Sequence, residues 1–147
     1  MTLPCVVLLS DFGNDGAASL AGVCKSVHPE LPVYELTHDV PRFDIGAAAT
    51  ILADQLAAWP GGTVFVCAVD PHFGSGEQVL AYQIENGSVA IGADNGCLDE
   101  IARLHSIKAV RSLAELNRSY LNREPSAVPH GRNLVYCAAC IASRKVR

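Results

Sequence analysis

The chain has 147 residues, half of them hydrophobic and 18% charged, with a formal net charge of −4. That supports one domain with its own core and argues against a disordered chain. The 11 Lys and Arg residues are scattered apart from a short basic tail, Arg144-Lys-Val-Arg147, so a nucleic-acid partner is not expected.

No apolar run reaches the about 18 residues of a membrane span. Met1-Thr-Leu-Pro4 lacks the charged start of a secretion signal, so no membrane contact and a cytoplasmic setting are expected. The six cysteines sit mostly within apolar stretches, as small buried hydrophobes do in a reducing compartment. Cys137-Ala-Ala-Cys140 has the spacing of redox and zinc sites, but it lacks a second pair and falls mid-helix by pattern.

Residues 4–10 read as a first strand that delivers Asp11 at its end. A helix is predicted from about 15 to 28, with Asp15 as N-cap and Leu20, Val23, Cys24 and Val27 on one face; Pro29 and Pro32 break it. A strand follows at about 32–37. The next helix, about 44–58, has Asp44 as N-cap and Ile45, Ala48, Ala49, Leu52 and Leu56 as its core stripe. Pro60-Gly-Gly62 is a turn.

The stretch Thr63–Val69 is mostly apolar and rich in strand formers. It runs into Asp70 before Pro71 stops the ladder and Gly74 permits a tight turn. Segments 78–85 and 88–92 flank Asn86-Gly87, a hairpin signal, so part of the sheet is antiparallel. Asp94-Asn-Gly96 is another tight turn. A short helix over 97–105, a strand at 108–110, a helix near 112–121, a proline-bearing loop at 122–129 and a closing helix over 132–144 complete the chain. Strand–helix alternation implies a single α/β domain over 1–147: a mostly parallel sheet with helices on both faces and an antiparallel hairpin.

Ligands of open α/β sheets bind beyond the carboxyl ends of the strands. The loops 11–15, 38–44 and 70–77 are placed to converge there, and the His130 loop is placed to join them. Each also has a plain structural reading. Asp11 and Asp15 suit free N–H groups at a helix start. Thr37-His38-Asp39 suits a solvated turn, His72 an exposed loop, and His130-Gly-Arg132 the start of a helix. Acid plus histidine is the minimum for general-base chemistry on a water. The set Asp11, His38, Asp70, His72 and His130 also admits a weaker reading as a metal site, against which it lacks a tight ligand spacing. Glycine-rich nucleotide loops and a G-x-S-x-G nucleophile turn are absent from the sequence.

A set of motifs in one order runs over about 4–143: Ser10-Asp-Phe-Gly13, Asp15-Gly-Ala17, Leu36-Thr-His-Asp-Val-Pro41 with Phe43-Asp44, Trp59-Pro-Gly-Gly-Thr-Val64, Val69-Asp-Pro71 with Gly74-Ser75, Asp94-Asn-Gly96 and His130-Gly-Arg132. In these the chain resembles the S-adenosylmethionine (SAM) hydroxide adenosyltransferases, or SAM hydrolases, relatives of the SAM-dependent fluorinase and chlorinase.

The resemblance implies an α/β N-terminal domain that assembles as a homotrimer. It implies attack of water on the ribose C5′ of SAM, giving adenosine and methionine, with SAM as substrate and no cofactor or metal. Carried over, Asp70 and His130 belong to the Asp-Arg-His group that activates water. Asp11 holds the ribose hydroxyls, Phe43 packs near the sulfonium, and Asn95, Asp15 and Arg132 line the site. The halogenases carry tyrosine where this chain has Asp70, which disfavours halide chemistry.

Departures accompany the match. The family motif V-D-P-G-V-G-S-x-R-R is Val69-Asp-Pro-His-Phe-Gly-Ser-Gly-Glu77-Gln78 here, so Glu77 stands at the catalytic arginine and opposes a developing hydroxide. Arg42 stands for a proline and Asn133 for an aspartate, and the first loop is shorter. Family members also carry a C-terminal β-barrel that helps form the adenine pocket, a domain expected to be absent from 1–147. The alternative is therefore a catalytically impaired, SAM- or nucleoside-binding oligomeric scaffold.

Overall fold

A computed structural model of the chain describes residues 3–69, 78–123 and 131–143. The elements, in chain order, are β1 (Val6–Ser10), α1 (Gly13–Val27), β2 (Val33–Thr37), α2 (Ile45–Leu56), β3 (Val64–Ala68), β4 (Val79–Ile84), β5 (Val89–Ala93), α3 (Asp99–Leu104), β6 (Ile107–Ser112), α4 (Ala114–Arg123) and α5 (Arg132–Ala142). They form the α/β fold that the strand–helix alternation implies.

The strands make one six-stranded sheet in the order β2-β1-β3-β5-β4-β6. β1 pairs in parallel with β2 and β3, and β3 in parallel with β5. β4 runs antiparallel to both β5 and β6. Its link to β5 is the Asn86-Gly87 turn, where the sequence places a hairpin.

β1 and β3 are buried along their whole length, and their side chains split by the two-residue period of a strand. Val6, Leu8, Val64, Val66 and Ala68 face one layer with Leu20 and Cys24 of α1 and Leu134, Val135 and Ala138 of α5. Val7, Leu9, Phe65 and Cys67 face the other, with Ala48, Leu52 and Leu56 of α2 and Ile101 of α3. The predicted helical stripes therefore do become core, with Val23, Val27 and Ile45 only partly buried at its margin.

α2 begins as predicted: the Asp44 carboxylate accepts the Ala47 N–H at 3.0 Å. α1 does not. Its N-cap is Phe12, which makes no side-chain cap bond, and Asp15 lies inside the first turn. The reason is tertiary. The Gly13 N–H is taken by the His38 carbonyl at 2.9 Å, so a backbone acceptor from a neighbouring loop starts the helix before Asp15. α4 also runs further than predicted, to Arg123.

Cys137 and Cys140 lie buried within α5, and all six cysteines are free thiols. Burial pushes Cys137 and Cys24 up to about 12, which leaves both thiols protonated and inert at neutral pH. Among the described residues no helix is long and apolar enough to cross a membrane.

Candidate functional site

β1 is followed through α1 by β2 on one side of it, and β2 through α2 by β3 on the other. The order of the strands thus reverses between β1 and β3. A reversal of this kind opens a crevice at the carboxyl ends of the strands. α1 and α2 cover opposite faces, so their N-terminal turns flank it.

Asp11 follows β1 directly at this crevice and is only 3% exposed. Its Oδ2 accepts the Phe43 N–H at 2.8 Å, across 32 residues of sequence. A buried carboxylate bonded to a distant backbone amide is neither a helix cap nor a surface charge. Phe43 holds φ at 66°, a costly value for an aromatic residue, and the residue is 59% exposed. The Arg42 guanidinium stands 4.9 Å from the centroid of that ring, so the ring face receives a cation.

Asn95 follows β5. Its Nδ2 donates to the Val69 carbonyl at 3.1 Å, and its Oδ1 accepts the Cys97 N–H at 3.1 Å. It therefore ties the turn after β5 to the chain leaving β3, one residue before Asp70. Beneath it Cys67 and Cys97 share a hydrogen bond; that bond and complete burial raise the Cys67 thiol well above its ordinary range. The next residue, Gly96, approaches α2: a Cβ there would lie 3.9 Å from Ile45.

Gly131 caps α5 in the left-handed region, with φ at 82°. A Cβ at Gly131 would meet the Phe12 ring at 2.8 Å and the Ala68 side chain at 3.2 Å. Gly131 is therefore brought to the ends of β1 and β3. Arg132 opens α5, with its side chain partly exposed.

The structure thus gathers Asp11, Phe43 and Asn95 at one rim, with Asp15 in the first turn of α1 and Arg132 in the first turn of α5. Asp70, His72, Glu77 and His130 lie outside the described residues. Among the described residues no three His, Cys, Asp or Glu side chains are grouped to hold a metal ion.

His38 is not in a solvated turn, the plain reading of its motif; it is 6% exposed. Its Nδ1 shares a hydrogen bond with the hydroxyl of buried Ser10. Ser10 was not a candidate on sequence grounds. The available signal was a lone hydroxyl at the end of an otherwise wholly apolar strand.

Comparison with known proteins gives the family and the fold. Residues 6–147 match the family model described as the SAM hydroxide adenosyltransferase N-terminal domain. The (R)-S-adenosyl-L-methionine hydrolase of Salinispora tropica is 33% identical over 134 residues, covering 89% of this chain and 50% of that protein. A fluorinase of Nocardia brasiliensis is 28% identical over 87 residues, 58% of this chain and 29% of its own length. In fold, the chain matches the crystal structure of an uncharacterized conserved protein from Thermotoga maritima. The TM-score is 0.85 at 23% identity, over 97% of this chain and 55% of that one. The chain spans about half the length of the curated hydrolases it matches.

Proposed function

The chain belongs to the SAM hydroxide adenosyltransferase family, and from that premise we propose that it serves the hydrolysis of SAM to adenosine and methionine. One observation carries the reading: one-third identity to SAM hydrolases over nearly the whole chain, in a fold whose switch point holds a buried carboxylate.

The reaction is a displacement at the ribose C5′. A water oxygen forms the new C5′–O bond as the C5′–S bond breaks. The bonding pair passes to the sulfonium, which leaves as the neutral thioether of methionine, and the water proton goes to a protein acceptor. The sulfonium is already a good leaving group, so the protein's work is to align the water and take its proton. Asp70 and His130 are assigned that work.

Asp11 is assigned the ribose hydroxyls and Phe43 the sulfonium end, where an exposed aromatic face favours a cation. Asn95, Asp15 and Arg132 are assigned the walls. The reaction needs neither a cofactor nor a metal. A homotrimer in the cytoplasm belongs to the same proposal, and sedimentation should give the mass of three chains.

The test is incubation with SAM and chromatography of the products. Adenosine and methionine should appear together above the protein-free rate and disappear in Asp70→Asn. An unchanged rate in Asp70→Asn removes the assignment of Asp70. Binding of SAM without turnover identifies the impaired scaffold that Glu77 suggests.

A further inference from the structure

We propose that His38 is the positioning residue of this site: its ring and its carbonyl together clamp the Ser10–Gly13 turn that presents Asp11. The proposal rests on the reading of Asp11 as the ribose carboxylate.

Three bonds define the clamp. The His38 carbonyl accepts the Gly13 N–H at 2.9 Å. The His38 Nδ1 meets the Ser10 hydroxyl across 28 residues of sequence. The same hydroxyl accepts the Phe12 N–H at 3.3 Å. The bonds enclose Asp11 on both sides. Five residues beyond His38, the same loop returns to Asp11 through the Phe43 N–H. The segment 38–43 therefore grips the turn by its backbone, its serine and its carboxylate.

The Ser10 oxygen accepts from Phe12 and keeps its own proton and a second lone pair, so it pairs with Nδ1 in either tautomer of the ring. Nε2 is buried without a hydrogen bond, and Glu35 Oε1 stands 3.5 Å away. A buried polar atom left in this state is costly. An apolar side chain would fill the space without that cost. The imidazole is kept for what its Nδ1 does on the other side of the ring.

The test uses adenosine and 2′,3′-dideoxyadenosine as probes, with affinities measured by calorimetry. The native chain should prefer adenosine. His38→Ala should lose about tenfold of that preference, the size of a hydrogen bond to a charged group, while binding the dideoxy compound as before. His38→Asn, whose amide places a polar atom near the Nδ1 position, should restore it. A role limited to folding would weaken both probes equally and would not be rescued.

Preference retained in His38→Ala overturns the proposal. Absence of preference in the native chain removes the ribose reading instead, and amide exchange then decides. The Gly13 and Phe43 amides should exchange about tenfold faster in His38→Ala than in the native chain, with β3 unchanged. Equal rates overturn the clamp. Should His38→Ala fail to fold, Ser10→Ala carries the same expectations for both readouts.

Discussion

The two rims of the sheet solve the same problem differently. At the rim where β3 and β5 begin, two side-chain hydrogen bonds run to near neighbours. The Thr63 hydroxyl donates to the Pro60 carbonyl three residues back, and the Asn86 side chain accepts the N–H of Ser88 two residues on. At the rim where β1 and β3 end, bonds reach across the chain. Asp11 to Phe43 spans 32 residues, Ser10 to His38 spans 28, and Asn95 to Val69 spans 26. Local bonds build turns and can form before the fold exists. Long-range bonds exist only once the fold is complete, so they hold loops in a defined relation to one another. The second rim is where a ligand is to be held.

Glycine contacts at each rim put this contrast to a stability test. Gly131→Ala should show the largest effect, about 2–5 kcal/mol, because strain at positive φ adds to a clash with Phe12 and Ala68. Gly61→Ala places a Cβ 2.5 Å from the Asn86 carbonyl oxygen, and should cost about 1–3 kcal/mol. Urea unfolding measures both. The contrast lies in function. In the folded fraction Gly131→Ala should also lose affinity for adenosine, whereas Gly61→Ala should bind it as the native chain does. Equal loss of affinity in the two variants would break the division between the rims.

Asp11→Asn sharpens the comparison within the site itself. The amide oxygen still accepts the Phe43 N–H, so the turn keeps its long-range tie and unfolding should shift little. Only the charge is removed. Hydrogen bonds to a charged group exceed neutral ones, so adenosine affinity should fall about 10–100-fold. Calorimetry against the dideoxy compound checks the assignment: that compound should lose nothing. A variant that folds normally and still prefers adenosine by the native margin would take the ribose away from Asp11.

How far the sequence foretold these rims follows from the same distinction of range. The strands, the Asn86-Gly87 hairpin and the stripe of α2 are encoded in neighbouring residues, and they stand where periodicity and turn chemistry place them. The start of α1 is not so encoded. Asp15 is a good N-cap residue, but the Gly13 N–H finds its acceptor in His38, which no local pattern reveals.

His38 illustrates the limit more sharply. Between Thr37 and Asp39 it has the composition of a solvated turn, and only the pairing of β1 with β2 brings its ring to Ser10. Asp11 was legible because an acid after an apolar strand is a signal in one dimension. The positive φ of Phe43 and the stacking of Arg42 on its ring were not, since both depend on where the loop is pulled.

The smallest expected effect is the most discriminating. Asp44 lies on the long-range rim, next to Phe43, yet its bond is local: it accepts the Ala47 N–H three residues ahead. If range rather than location separates structure from function, Asp44→Ala should behave like a residue of the opposite rim. Loss of an N-cap costs about 1 kcal/mol. Urea unfolding should show that loss, while the preference for adenosine over the dideoxy compound stays at the native value. A fall in that preference would mean that the α2 cap also sets the position of Phe43 and, through its N–H, of Asp11. The division would then follow the rim and not the reach of the bond, and Asp44 would join His38 among the groups that aim the carboxylate.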